Sequence, residues 1–114
     1  MTGRELLDEH VRRFNAGVRS GDFGPMLELF ADDAVLTFVG VPVGPFQGRE
    51  AIAAAYRDRP PDDEIEVLDA WNRDGMLVAL YSWRRDRGHA AGELWLVREG
   101  DLIARLIVTF DPAA

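Results

Sequence analysis

The residues of this chain best placed to move a proton are two carboxylates set in strand-like stretches: Glu93 within Ala90 to Arg98 and Asp69 within Glu64 to Asn72. A carboxyl drawn out of water resists ionisation and becomes able to donate a proton near neutral pH, whereas one held by a guanidinium keeps its charge. If the chain turns near Arg87-Gly88, Glu93 faces Tyr81 or Trp83 across a hairpin, with Arg85 within diagonal reach. Two roles are open to it: a neutral donor to a ligand oxygen, or the structural partner of Arg85. Asp69 ranks second, because the parity of its strand is the least determined. Tyr56 and Tyr81 are hydrogen-bond donors, although a buried ring with a satisfied hydroxyl is the commoner situation. His10 on the first helix and His89 beside a turn glycine read as residues without a chemical role, and Asp32-Asp33 as turn and capping residues. Trp71, Trp83 and Trp95 read as core unless they ring a cavity.

Much other chemistry is excluded by composition. The chain has no cysteine and only two histidines, so neither a thiolate nor a zinc site is expected, and no metal or cofactor is called for. The formal net charge is −7 and the 13 basic residues are scattered, which disfavours nucleic acid and anionic membranes as partners. No apolar run approaches the ~18 residues of a membrane span, and Met1-Thr2-Gly3-Arg4-Glu5 lacks the apolar core of a secretory signal. A cytoplasmic location is the expectation.

The elements that must position these groups follow from spacing. With 114 residues, 47% of them hydrophobic, the chain suits one domain over 1–114. Leu7, Val11, Phe14 and Val18 recur at helical intervals between Glu5 and Arg19, and Gly21 ends that helix. Pro25 starts a second, shorter helix closed by Asp32 and Asp33. Ala34 to Gly40 is a strand by its β-branched and aromatic content, and Pro42, Gly44 and Pro45 make the following segment a loop. A third helix runs from Gly48 to Arg57, stopped by Pro60-Pro61. Four strands follow at Glu64 to Asn72, Met76 to Arg85, Ala90 to Arg98 and Leu102 to Phe110, separated by Asp74-Gly75, Arg87-Gly88 and Glu99-Gly100, so successive strands are antiparallel neighbours. The last three carry apolar residues at both parities, which requires cover on both sheet faces. Three helices cannot supply both, and a homodimer contact through the sheet, with Leu94 and Leu96 facing outward, is expected on the second.

This order of elements resembles the nuclear transport factor 2-like superfamily, which includes ketosteroid isomerases and SnoaL-like polyketide cyclases. The resemblance is carried by Ser20-Gly21-Asp22 running on to Leu29-Phe30-Ala31-Asp32-Asp33-Ala34, by Phe46-Gln47-Gly48-Arg49-Glu50-Ala51-Ile52, and by Glu99-Gly100-Asp101-Leu102-Ile103-Ala104-Arg105-Leu106 with Phe110-Asp111-Pro112. It implies an α+β fold in which a cone-shaped, curved antiparallel sheet wraps around three N-terminal helices and encloses an apolar pocket.

The same resemblance implies a site. The tyrosine and the base of ketosteroid isomerases fall at Phe14 and Phe38, neither of which can do their work, while the third position keeps an acid at Glu93 and a helix-borne hydroxyl is retained as Tyr56. Ketosteroid isomerisation by the usual residues is therefore not expected. The family's inward parity would point Ala79, Tyr81, Trp83 and Arg85, then Glu93, Trp95 and Val97, then Leu106, Val108 and Phe110 into the pocket. A small hydrophobic molecule is the implied partner. Three readings stay open: a cofactor-independent isomerase, cyclase or hydrolase using proton transfer; a non-catalytic binder of the same ligand; and a dimeric interaction module.

Overall fold

In the computed structural model, residues 1–110 are described; Asp111-Pro112 of the closing motif lie outside them. Helix α1, Gly3–Ser20, opens on a capping box. The Thr2 hydroxyl accepts the Glu5 N–H at 3.1 Å, and the Glu5 carboxylate accepts the Thr2 N–H at 3.0 Å. Gly21, at φ 83°, ends it. Its buried stripe is Leu6, Leu7, His10, Phe14 and Gly17, rotated from the expected one so that Val11 and Val18 sit at the margins. One turn of helix, α2 (Gly24–Leu27), follows.

Strand β1, Phe30–Val39, begins earlier than the sequence suggests. Asp32 and Asp33 therefore lie in the strand, exposed, and do not close a helix. They fall where the register against the neighbouring strand shifts between Phe30 and Val35, a bulge that lets two polar residues face water while Phe30, Ala31 and Ala34 stay buried. The expected loop contains a short strand, β2 (Phe46–Gln47), paired with β1. Helix α3 is Arg49–Asp58. The remaining strands are β3 (Ile65–Arg73), β4 (Met76–Trp83), β5 (Gly92–Glu99) and β6 (Leu102–Thr109).

The six strands form one sheet in the order β2-β1-β6-β5-β4-β3. It is mixed, which corrects the wholly antiparallel expectation. Strands β3 to β6 are successive antiparallel neighbours, but β1 pairs with β6 in parallel. Such a pair requires a long connection, and the whole of the chain between them supplies it. The helices lie against one face, and the main core is between them and that face.

Register decides which side chains reach that face, and here the expectation for β5 fails. Tyr81 pairs with Gly92 and Leu80 with Glu93, one residue away from the anticipated pairing of Glu93 with Tyr81 or Trp83. A slip of one residue reverses every side chain of a strand. Leu94 and Leu96 are thus in the core, 3% and 2% exposed, and Glu93, Trp95 and Val97 share the outer face with Leu80, Val78 and Arg105. The cause is the connection after β4: Arg84–Asp86 forms a 3₁₀ turn and the hairpin closes only where the Ala91 N–H donates to the Tyr81 carbonyl at 2.8 Å.

Candidate functional site

An open cleft of about 480 Å³ lies between the helices and the inner sheet face. Phe14 of α1, Tyr56 of α3, Phe38 of β1, Phe46 of β2, Tyr81 and Trp83 of β4 and Phe110 after β6 supply aromatic walls, with Ile65, Leu94, Leu106 and Val108 between them. Strand alternation brings them together. Leu94 is the cross-strand partner of both Ala79 and Val108, and Val108 of Phe38, so these side chains continue one surface across four strands. Phe38 stacks on Phe110 at 6.1 Å and meets Phe46 edge to face at 6.2 Å.

Few polar groups enter this surface. The Tyr81 hydroxyl donates to the Thr109 carbonyl at 3.0 Å, and burial pushes its pKa up to about 12. Burial also raises that of Tyr56, whose ring meets Phe14 edge to face at 6.5 Å and Phe23 at 5.1 Å. Asp58 and Arg59, at the end of α3, are exposed at the margin, where Asp58 lies 3.7 Å from Arg57. The Trp83 indole N–H and the His10 imidazole remain. His10 is 2% exposed, its Nδ1 is enclosed without a hydrogen-bond partner, and burial brings its pKa down to about 4, so the imidazole is neutral at physiological pH.

Phe14, Phe38, Tyr56, Tyr81, Trp83 and Phe110 therefore lie together on the cleft, while three other expected site residues do not. Glu93 is on the outer face, where its carboxylate accepts the Trp95 indole N–H at 3.0 Å and its own N–H donates to the Thr109 hydroxyl at 2.8 Å. Trp95 shares that face, with the Arg73 guanidinium 5.8 Å above its ring. Asp69 is exposed opposite Leu80, because a bulge between Val67 and Asp69 shifts the parity of β3 and turns the carboxylate outward. Arg85 is not the partner of Glu93. It pairs with Asp62 at 2.8 Å and Asp63 at 3.0 Å, and its backbone N–H and guanidinium hold the Asp63 carboxyl below its ordinary range. His89 is exposed and pairs with Asp86 at 2.7 Å, which raises its pKa.

The site residue that sequence reasoning passed over is His10. Its signal was available: it stands three residues after Leu7 and four before Phe14, in the middle of an apolar stripe where a polar side chain has no packing reason to be. Among the described residues, no three His, Cys, Asp or Glu side chains come together to hold a metal, and no helix is long and apolar enough to cross a membrane.

Comparison with known proteins places this geometry in context. An NTF2-like protein of unknown function from Cytophaga hutchinsonii superposes with a TM-score of 0.74 at 18% identity, covering 98% of this chain and 92% of that one. A Bacillus subtilis protein provisionally named an isomerase gives 0.73 at 19% identity over 98% and 91%. A Kribbella flavida protein provisionally named a ketosteroid isomerase gives 0.69 at 14% identity over 96% and 81%. At these identities the likeness establishes the fold alone. No curated protein matched the chain in sequence. The SnoaL-like domain family matches residues 11–106, from within α1 to within β6, and the chain belongs to that family.

Proposed function

We propose that this protein holds one small, mostly apolar molecule bearing an oxygen atom in the cleft between its helices and the inner sheet face. The observation that carries this reading is the cleft itself: aromatic and aliphatic walls around about 480 Å³, within the roughly 300–1,000 Å³ usual for ligand sites. Binding is preferred to catalysis because, among the described lining residues, Asp58 is the sole carboxylate, and its side chain is 72% exposed. An isomerase, cyclase or hydrolase reaction by proton transfer would have to run on His10, Tyr56 or Tyr81, without the carboxylate base that such reactions commonly use. The test is calorimetric titration with 2-acetylnaphthalene of the wild type and of Val108→Trp, which fills the cleft. The reading requires binding by the first and a loss of at least about tenfold in the second. Equal affinity would place the ligand elsewhere.

A second copy of the chain is the partner that the outer sheet face suits. Trp71 is 36% exposed, and Leu80, Trp95, Val97, Ile107 and Val35 are half-buried, on a face without a described helix over it. Two such faces brought together in a symmetric pair would cover each other.

A further inference from the structure

The outer sheet face carries charge in a pattern that strand register dictates. Trp95 lies opposite Ile107 and Val78, Val78 opposite Trp71, and Ile107 opposite Thr37, so these five side chains make one mostly apolar row across the strands. Two residues before that row stand Glu93 on β5 and Asp69 on β3, both opposite Leu80. Two residues beyond it stand Arg73 on β3 and, opposite Val97, Arg105 on β6. Alternation keeps all of these on one side of the sheet, so an apolar row runs between an acidic row and a basic one, each about 7 Å away along the strands. Among the described residues, none of the four charges meets an opposite one. Asp69 accepts the Ala70 N–H at 2.8 Å, Glu93 accepts the Trp95 indole, Arg73 lies over the Trp95 ring, and Arg105 is exposed. By contrast Glu66, at the end of the same face, is held by Arg87 at 3.0 Å.

We infer that these charges set the orientation in which two copies of the chain meet: the two-fold axis runs across the strands, along the apolar row, and lays Asp69 and Glu93 of one copy over the partner's Arg73 and the partner's Arg105. Packed sheets keep their strand directions within about 30° of each other, which leaves two symmetric choices. An axis parallel to the strands sets each row on itself, carboxylates over carboxylates and guanidinia over guanidinia, and like charges so placed oppose association. An axis across the strands exchanges the acidic and basic rows while the apolar row still meets itself. In that arrangement β3 lies over the partner's β3, so Asp69 faces the partner's Arg73, and Glu93 of β5 reaches the partner's Arg105 from the adjacent strand. Sheets about 10 Å apart are within the combined reach of a carboxylate and an arginine. Asp69 and Glu93, the two carboxylates expected at the cleft, thus serve recognition between copies.

This inference rests on the pairing of outer faces, not on the cleft, and mixing two charge-reversed chains separates orientation from pairing. Sedimentation equilibrium is run on the wild type, on Asp69→Arg, on Arg73→Asp and on an equimolar mixture of the two variants. Each variant alone sets like charges against each other and should dimerise at least about tenfold more weakly than the wild type. In the mixture both contacts between positions 69 and 73 are again opposite in sign, so a heterodimer should form with affinity within about threefold of wild type. A charge effect confined to one chain would not be repaired by mixing. If the wild type dimerises and the mixture associates no better than its components, this orientation is refuted while the pairing of the faces stands. If the wild type is monomeric at micromolar concentration, both claims fail. Should either variant not fold, cysteines decide, since the chain has none of its own. Asp69→Cys mixed with Arg73→Cys should be joined by a short bis-maleimide at least about tenfold faster than either is joined to itself, because the like positions are about 13 Å out of step along the strands. Faster joining of like with like would refute the orientation.

Discussion

The Tyr81 hydroxyl reaches the Thr109 carbonyl at 3.0 Å because the neighbouring strand carries Gly92 where any side chain would be in the way: a Cβ there would lie 1.9 Å from that same oxygen. A glycine thus admits the end of β6 to the wall of the cleft and fixes the direction of one tyrosine. Gly92→Ala should displace Thr109 and lose both this bond and the one from the Glu93 N–H to the Thr109 hydroxyl, at a cost of ~2–4 kcal/mol. Tyr81→Phe, which removes the hydroxyl alone, should cost ~1 kcal/mol. Urea unfolding of both variants measures this, and an alanine that costs no more than the phenylalanine would contradict it.

His10 makes stability depend on acid. Its pKa is about 4 when folded and ~6.5 when unfolded, so between those values the unfolded chain binds the extra proton. Its contribution is complete above pH ~6.5 and declines as pH falls towards 4, by ~3 kcal/mol in all. Subtracting the stability curve of His10→Phe from that of the wild type over pH 4 to 7 should reveal that slope, and parallel curves would show that His10 is solvated.

The outer-face position of Glu93 carries an equally definite consequence. Glu93→Gln can still accept from the Trp95 indole and stands on the other side of β5 from the cleft, so affinity for 2-acetylnaphthalene should stay within about twofold of wild type. A loss of about tenfold or more, read by calorimetry, would restore Glu93 to the site.

The outer face as a whole should hold a second copy of the chain. Sedimentation equilibrium should give a dimer at micromolar protein, and Ile107→Glu, which puts a charge in the middle of that face opposite Trp95, should give a folded monomer. A wild-type monomer at that concentration would exclude the pairing.

How much of this was legible in sequence varies by residue. Helices α1 and α3 announced themselves through apolar spacing, and the ends of β3 and β5 through Gly75 and Gly100, each at positive φ; α2 stops at Leu27 and β4 at Trp83, both short of the expected ends. Phe14, Phe38, Tyr56, Tyr81, Trp83 and Phe110 were placed on the cleft by the family resemblance, not by spacing, since the strands of Tyr81, Trp83 and Phe110 are apolar at both parities. For strand β5 the same inward parity failed. Glu93-Leu94-Trp95-Leu96-Val97 is apolar at both parities, so its phase is set by the length of the connection from Trp83 to Gly92, which hydrophobic pattern does not encode. Asp69 was lost to the bulge beside Leu68, and β2 to its brevity between Pro45 and Gly48. His10 was passed over because its residue type was weighed without its neighbours in the stripe.

The three tryptophans provide the most direct test of the central claim, that the ligand site is the cleft of the inner face. Trp83 lines it, whereas Trp71 and Trp95 are on the outer face. In a ¹⁵N-labelled protein the three indole N–H resonances are resolved and assignable by single Trp→Phe variants. Titration with 2-acetylnaphthalene should move the Trp83 signal and leave those of Trp71 and Trp95 in place; movement of either outer signal with Trp83 unchanged, or no movement of any, would contradict the account.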